Sequence, residues 1–129
     1  MRRYGGGGVV STPEGRVLKA CLDYLALINV FAFRNNTGGT PLHDGSGRYR
    51  PAPKSSVGSA DIIGIAPEMR ELRYRARPLA VEVKSAKGKQ SPAQRAFQQK
   101  WEAAGGLYLL VRSVDELRDG LRDAGVEVK

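Results

Sequence analysis

Two apolar runs that carry charge where burial disfavours it constrain this chain most. "SADIIGIA" (residues 59–66) holds Asp61, and "LAVEVKS" (79–85) holds Glu82 and Lys84. Both runs are rich in aliphatic residues and predict strands, and "DIIGI" is apolar on both faces, as in a strand covered on two sides. Alternation puts Ala80, Glu82 and Lys84 on one face of the second strand and Leu79, Val81 and Val83 on the other. If the two strands pair antiparallel in suitable register, the carboxylate of Asp61 approaches that of Glu82.

Two buried carboxylates without a partner cost several kcal/mol, or raise one pKa by roughly a few units. A divalent cation removes that penalty. Carboxylates with a backbone carbonyl and waters are the ligands Mg²⁺ or Mn²⁺ prefers. The single histidine and single cysteine argue against zinc: His43 sits in a polar, glycine-rich stretch without a companion, and Cys21 falls on the apolar face of a predicted helix, where it acts as a small hydrophobe. A cation at Asp61 and Glu82 can polarise a phosphoryl oxygen and acidify a water. Lys84, on the same face, can orient that water or offset charge developing on phosphorus. The milder alternative makes Glu82 and Lys84 a weak surface ion pair on an edge strand.

The charge balance points the same way. Twenty-one Lys and Arg against thirteen Asp and Glu give 129 residues a net charge of +8 and a pI near 10.0, which favours a polyanionic partner such as nucleic acid. No apolar run is long enough to span a bilayer and no signal-peptide pattern opens the chain, so an intracellular, cytoplasmic protein without a membrane partner is expected. No motif calls for a small-molecule cofactor.

Residues 1–10, "MRRYGGGGVV", predict a flexible glycine-rich tail, and residues 11–129 a single domain. Within it, 11–28 predict a helix capped by Ser11 or Thr12, with Pro13 and Glu14 in its first turn and Val17, Leu18, Cys21, Leu22, Leu25 and Ile28 at helical spacing. Extended back one turn, that stripe reaches Glu14, which helix capping alone would also explain. "VFAFRN" (30–35) predicts a strand, and 36–58 a long basic loop. The two strands of the opening follow, joined by a turn through "PEMRELRYRA". Then come a helix over 91–106 with Ser91 as its cap, a strand over 107–113 and a helix over 113–125. The expectation is an α/β fold of order αβββαβα, a mixed sheet flanked by helices.

The ordered set of Glu14 in the first helix, Gly58-Ser59-Ala60-Asp61, Glu82-Val83-Lys84 and Gln94 in the next helix resembles the VRR-NUC branch of the PD-(D/E)XK nuclease superfamily. "FRNNTG" before the loop and "GGLYLLVRSVDEL" after the helix add to the likeness, which spans roughly residues 11–118. The resemblance implies a restriction-endonuclease-like core. It makes Asp61, Glu82 and the carbonyl of Val83 ligands of Mg²⁺ or Mn²⁺, and Lys84 the catalytic lysine. Glu14 becomes an acid that binds metal directly or through water, and Gln94 a residue supporting Lys84 or substrate. Ala60 stands where the family's motif usually has proline, a residue that shapes the backbone without touching the metal.

"KSAKGKQS" (84–91) places Lys87 and Lys89 before a helix N-terminus, where amides and the dipole favour phosphate. Arg34, Asn35, Arg48, Arg50 and Lys54 add to a candidate nucleic-acid surface, although any one of them is as well explained as a solvated charge. Phe97 and Trp101 follow the helical apolar stripe and belong to the core. Compact members of the resembled family are similar to Holliday junction resolvases and pair as homodimers, which implies a metal-dependent DNA nuclease acting on branched or flapped DNA. The rival expectations are a non-catalytic basic nucleic-acid-binding module and a soluble scaffold.

Overall fold

The computed structural model describes residues 12–35, 40–50 and 57–129; the expected tail over 1–10, the alternative cap Ser11 and the basic residue Lys54 lie outside them. Thr12 caps helix α1 (Pro13–Leu27), its hydroxyl accepting from the Gly15 N–H at 2.9 Å. Pro13 takes a position where its missing N–H has no intrahelical acceptor to lose. The expected stripe is the buried one: Cys21 and Leu25 are in the core, with Val17, Leu18, Leu22 and Ile28 packed around them.

Strand β1 (Ala32–Arg34) follows, and then two short strands, β2 (Thr40–Pro41) and β3 (Tyr49–Arg50), which pair antiparallel in a small sheet of their own. That pair falls inside the stretch expected to be an irregular loop. Two-residue strands carry no detectable alternation, so periodicity could not have found them.

Strands β4 (Ile62–Arg70) and β5 (Arg73–Val83) form a long antiparallel hairpin, and β6 (Leu107–Val111) lies parallel to β5 after helix α2 (Pro92–Ala103). Helix α3 (Val114–Asp123) completes the chain's named elements. The main sheet runs β1-β4-β5-β6, so β5 is bonded on both sides. The result is an α/β fold with a mixed four-stranded sheet flanked by three helices.

The turn of the hairpin is far tighter than expected. Pairing continues through Glu68↔Arg75 and Met69↔Tyr74 to Arg70↔Arg73, leaving Glu71 and Leu72 alone at the tip. Both have positive φ, 50° and 66°, the geometry of a two-residue hairpin turn usually marked by Asn-Gly. With Glu-Leu there instead, the sequence hid it.

The two sheet faces are buried differently. Leu79, Val81 and Val83 pack with Ile62, Val111, Leu117 and Leu121 against α1 and α3, each large side chain contributing about 2 kcal/mol by leaving water. Ala60, Ala80 and Tyr108 pack on the other face with Ile63, Phe97 and Trp101. The last two rings stack at 5.4 Å and are half-buried against that cluster rather than exposed platforms. Where β1 meets β4, a Cβ on Gly64 would stand 2.4 Å from the Phe31 carbonyl oxygen. Only glycine lets the two backbones approach that closely. Among the described residues, no helix is long and apolar enough to cross a membrane.

Candidate active site

The register that pairs Ile62 with Val81 brings the next residues out, Asp61 and Glu82, across from each other on the α2 face. Asp61 precedes β4 and is held from three directions. Its Oδ2 accepts from the Val83 N–H at 2.8 Å, its carbonyl accepts from the Asn35 N–H at 2.7 Å, and the Asn35 side-chain amide donates to the Ser59 hydroxyl at 2.9 Å and to the Ala60 carbonyl at 3.0 Å. Just before it, Gly58 has φ of 78°, and a Cβ there would lie 2.4 Å from the Ala93 carbonyl oxygen. The segment leading to Asp61 therefore lies directly on the first turn of α2.

Glu82 is 2% exposed. Its Oε2 accepts from the Gln94 side-chain amide at 2.9 Å and lies 3.5 Å from the Lys84 ammonium. Its Oε1 is buried with no hydrogen-bond partner among the described residues. Burial first, and then the neighbouring Asp61 carboxylate, push the Glu82 carboxyl up to about 7, with Lys84 working in the opposite direction. An unpartnered buried carboxylate oxygen costs free energy unless something binds it.

Gln94 is fixed by its own helix. Ser91 and Gln94 form a reciprocal capping box, Ser91 N–H to Gln94 Oε1 at 2.9 Å and Gln94 N–H to Ser91 Oγ at 3.1 Å. This leaves the Gln94 amide free to turn toward Glu82. Lys84 is mostly buried, and its backbone N–H donates to the Val111 carbonyl at 3.0 Å, continuing the β5–β6 ladder by one residue.

Asp61, Glu82, Lys84 and Gln94 thus come together as expected; among the described residues, no hydrogen bond or ion pair joins Glu14 to them. It is exposed in the first turn of α1, and α1 packs on the sheet face opposite Glu82. Among the described residues, no group of three or more His, Cys, Asp or Glu side chains is arranged to hold a metal ion. Asn35, expected at a nucleic-acid surface, is half-buried and occupied in clamping Ser59 to Asp61. At Val83, whose carbonyl was expected to reach metal, the described contact is the N–H that holds Asp61.

Lys87 and Lys89 are exposed on the loop before α2, and Arg34 and Arg50 are exposed on β1 and β3. Arg48 is exposed and pairs with Asp44 at 3.5 Å. Two residues near the site carry no signal in the sequence. Arg112 donates to the Gly88 carbonyl at 2.8 Å and pins the Lys87–Lys89 loop to the end of β6. The Tyr108 hydroxyl accepts from the Gln90 side-chain amide at 3.1 Å, and burial pushes its pKa up to about 12. Neither residue type has a motif of its own; only the parallel β5–β6 pairing makes them neighbours of the site.

Comparison of the chain with models of protein families, with curated proteins and with solved structures finds no match. The chemistry of the site rests on its own geometry.

Proposed function

We propose that this chain is a metal-dependent DNA nuclease with a restriction-endonuclease-like core, built around Asp61, Glu82 and Lys84 and using Mg²⁺ or Mn²⁺. One observation carries the proposal: the buried, unpartnered Glu82 Oε1 beside a second carboxylate and an ammonium. With Asp61 Oδ2 held by Val83 and Glu82 Oε2 held by Gln94, Asp61 Oδ1 and Glu82 Oε1 are the oxygens left for a hard cation, a donor set that fits magnesium or manganese and not zinc. A cation bound there would supply Lewis acidity at a phosphodiester.

The chain's own residues supply the rest. Lys84 holds positive charge, in a site largely closed to water, where negative charge grows on the phosphoryl oxygens. Gln94 fixes the orientation of the Glu82 carboxylate. The N-terminus of α2 with Lys87 and Lys89 binds flanking phosphates, and the net charge of +8 attracts the polyanion. Branched or flapped DNA as substrate, and a homodimer as the acting form, follow from the family resemblance.

A cleavage assay on linear, nicked, flapped and four-way DNA with Mg²⁺, Mn²⁺ or chelator tests this. Metal-dependent cleavage by the wild type, lost in Glu82→Gln and Lys84→Ala while DNA binding persists, is the expected result. Binding without cleavage of any of these substrates in either metal would leave a basic binding module instead.

A further inference from the structure

The β4–β5 hairpin does something at its far end that the core does not require. From Met69 to Ala76 every residue is exposed. Leu72, at the tip, is 96% exposed and Tyr74 is 65% exposed. Glu71 and Leu72 both hold left-handed backbone, which costs a residue with a Cβ roughly 1 kcal/mol or more. A leucine is thus kept in strained backbone and almost wholly in water, where Gly or Asn would be more stable. Met69 and Tyr74 beside it are exposed as well, so backbone strain coincides with a small apolar patch at the tip.

The flanking charge identifies the partner. Arg70 and Arg73 face each other across the ladder at the base of the turn, with Arg75 two residues further. Glu68 is buried and holds Arg75 and Arg77 at 2.7 and 3.0 Å. Arg77 is structural: it is 22% exposed and donates to the Gly105 and Gly106 carbonyls. Arg70 donates one nitrogen to the Asp123 carbonyl and sits 4.0 Å from Glu68, yet stays largely exposed. The Arg73 side chain has no hydrogen bond or ion pair among the described residues. The tip therefore presents three exposed guanidiniums around a protruding leucine, opposed by one exposed acid, Glu71.

We infer that the β4–β5 hairpin is a duplex-DNA-binding arm: Arg70, Arg73 and Arg75 contact phosphates while Leu72 wedges against a base step in the groove. A two-stranded ribbon fits a DNA groove, and apolar wedges flanked by arginine are a known means of gripping one. Asp61 and the tip lie at opposite ends of β4. At about 3.3 Å per residue, the arm contacts DNA roughly 30 Å, or about nine base pairs, from the carboxylates. The inference takes from the proposed function only that the partner is DNA; the arm needs no catalysis.

The test uses the full chain in chelator, so that binding is read without cleavage. Leu72→Asn removes the wedge but suits left-handed backbone, and Arg73→Ala removes an unpartnered charge. Fluorescence anisotropy on a labelled duplex of about 30 base pairs should show Leu72→Asn binding about fivefold more weakly than wild type, with an unchanged or higher Tm. Arg73→Ala should lower the salt slope by about one. A 2-aminopurine unstacking signal should appear with wild type and vanish with Leu72→Asn. Wild-type affinity and salt slope in both variants would overturn the arm while leaving the nuclease proposal standing. Loss of binding to phosphatidylserine vesicles, or a shift from dimer to monomer, with duplex binding unchanged, would overturn it in favour of a membrane or a second copy. Cleavage absent from the wild type with duplex binding sensitive to Leu72→Asn would sink the nuclease proposal and support the arm.

Discussion

The side-chain amide of Gln94 donates to Oε2 of Glu82 at 2.9 Å while the other end of the same side chain closes the capping box with Ser91. One residue joins the start of a helix to the carboxylate most in need of orientation. The capping box and the candidate site are therefore a single hydrogen-bonded unit, and a change in either is felt in both.

Gln94→Ala should accordingly do more than a cap deletion. The cap bond from the residue 94 N–H to Ser91 Oγ survives, but the Ser91 N–H loses its acceptor, at about 1 kcal/mol, and leaving Glu82 Oε2 short of a donor costs about 1 kcal/mol more. Urea denaturation should show a combined loss of about 2 kcal/mol. A loss of about 1 kcal/mol or less would mean that the Glu82 contact contributes nothing.

Glu82 gives the metal-free protein a distinctive pH profile. Its carboxyl is raised in the fold to about 7 from the ordinary 4.5, so the folded state prefers the protonated form. Its contribution to stability is complete below about 4.5 and disappears as pH rises through about 7. In chelator, Tm should fall between about pH 5 and 8, and Glu82→Gln should flatten that fall. Mn²⁺ at about pH 8 should raise Tm in the wild type and not in Glu82→Gln; equal rises in both would place the ion elsewhere.

Glu68 behaves in the opposite sense. Burial pushes its carboxyl up, but hydrogen bonds from Arg77 and Arg75 outweigh this and hold it below the usual range. Its stabilisation is present above about 4.5 and lost as pH falls through its lowered folded value. Glu68→Gln should cost about 2 kcal/mol at about pH 7, less than a fully buried pair because Arg75 is largely exposed. The deficit should shrink on acidification. A deficit that stayed constant down to about pH 3 would mean that charge is irrelevant there.

Two glycines with positive φ separate backbone strain from collision. Gly105 has φ of 100° and open space where a Cβ would project, whereas at Gly58 the Cβ would meet the Ala93 carbonyl oxygen. Gly105→Ala should cost about 1 kcal/mol and Gly58→Ala at least about 2 kcal/mol. Gly58→Ala should also reduce the Mn²⁺-induced rise in Tm, because it displaces the segment that delivers Asp61. Equal costs in the two variants would show that the contact with α2 relaxes freely.

The pairing of Asp61 with Glu82 was legible because two adjacent strands carried strong apolar patterns with one charge out of place in each, and strand period alone assigns faces. Gln94 was legible as part of an ordered motif, although its double role depends on the capping box. For Glu14 helical period gives only its face of α1 and not which side of the sheet α1 covers; the structure shows it exposed in the first turn of that helix. The hairpin arm was missed for a related reason: Glu71-Leu72 lacks the usual turn residues, and the cross-strand pairing of Glu68 with Arg75 that extends the ribbon has no local signature.

β5 is bonded to β4 on one edge and β6 on the other, so the backbone beneath Glu82 is placed where local opening is least favourable. Amides from Leu79 to Val83 should be among the slowest to exchange with deuterium. A candidate site mounted on a strand paired along both edges has little capacity to adapt its own shape. Tolerance for differently shaped ligands, on the proposed reading, then belongs to the exposed periphery.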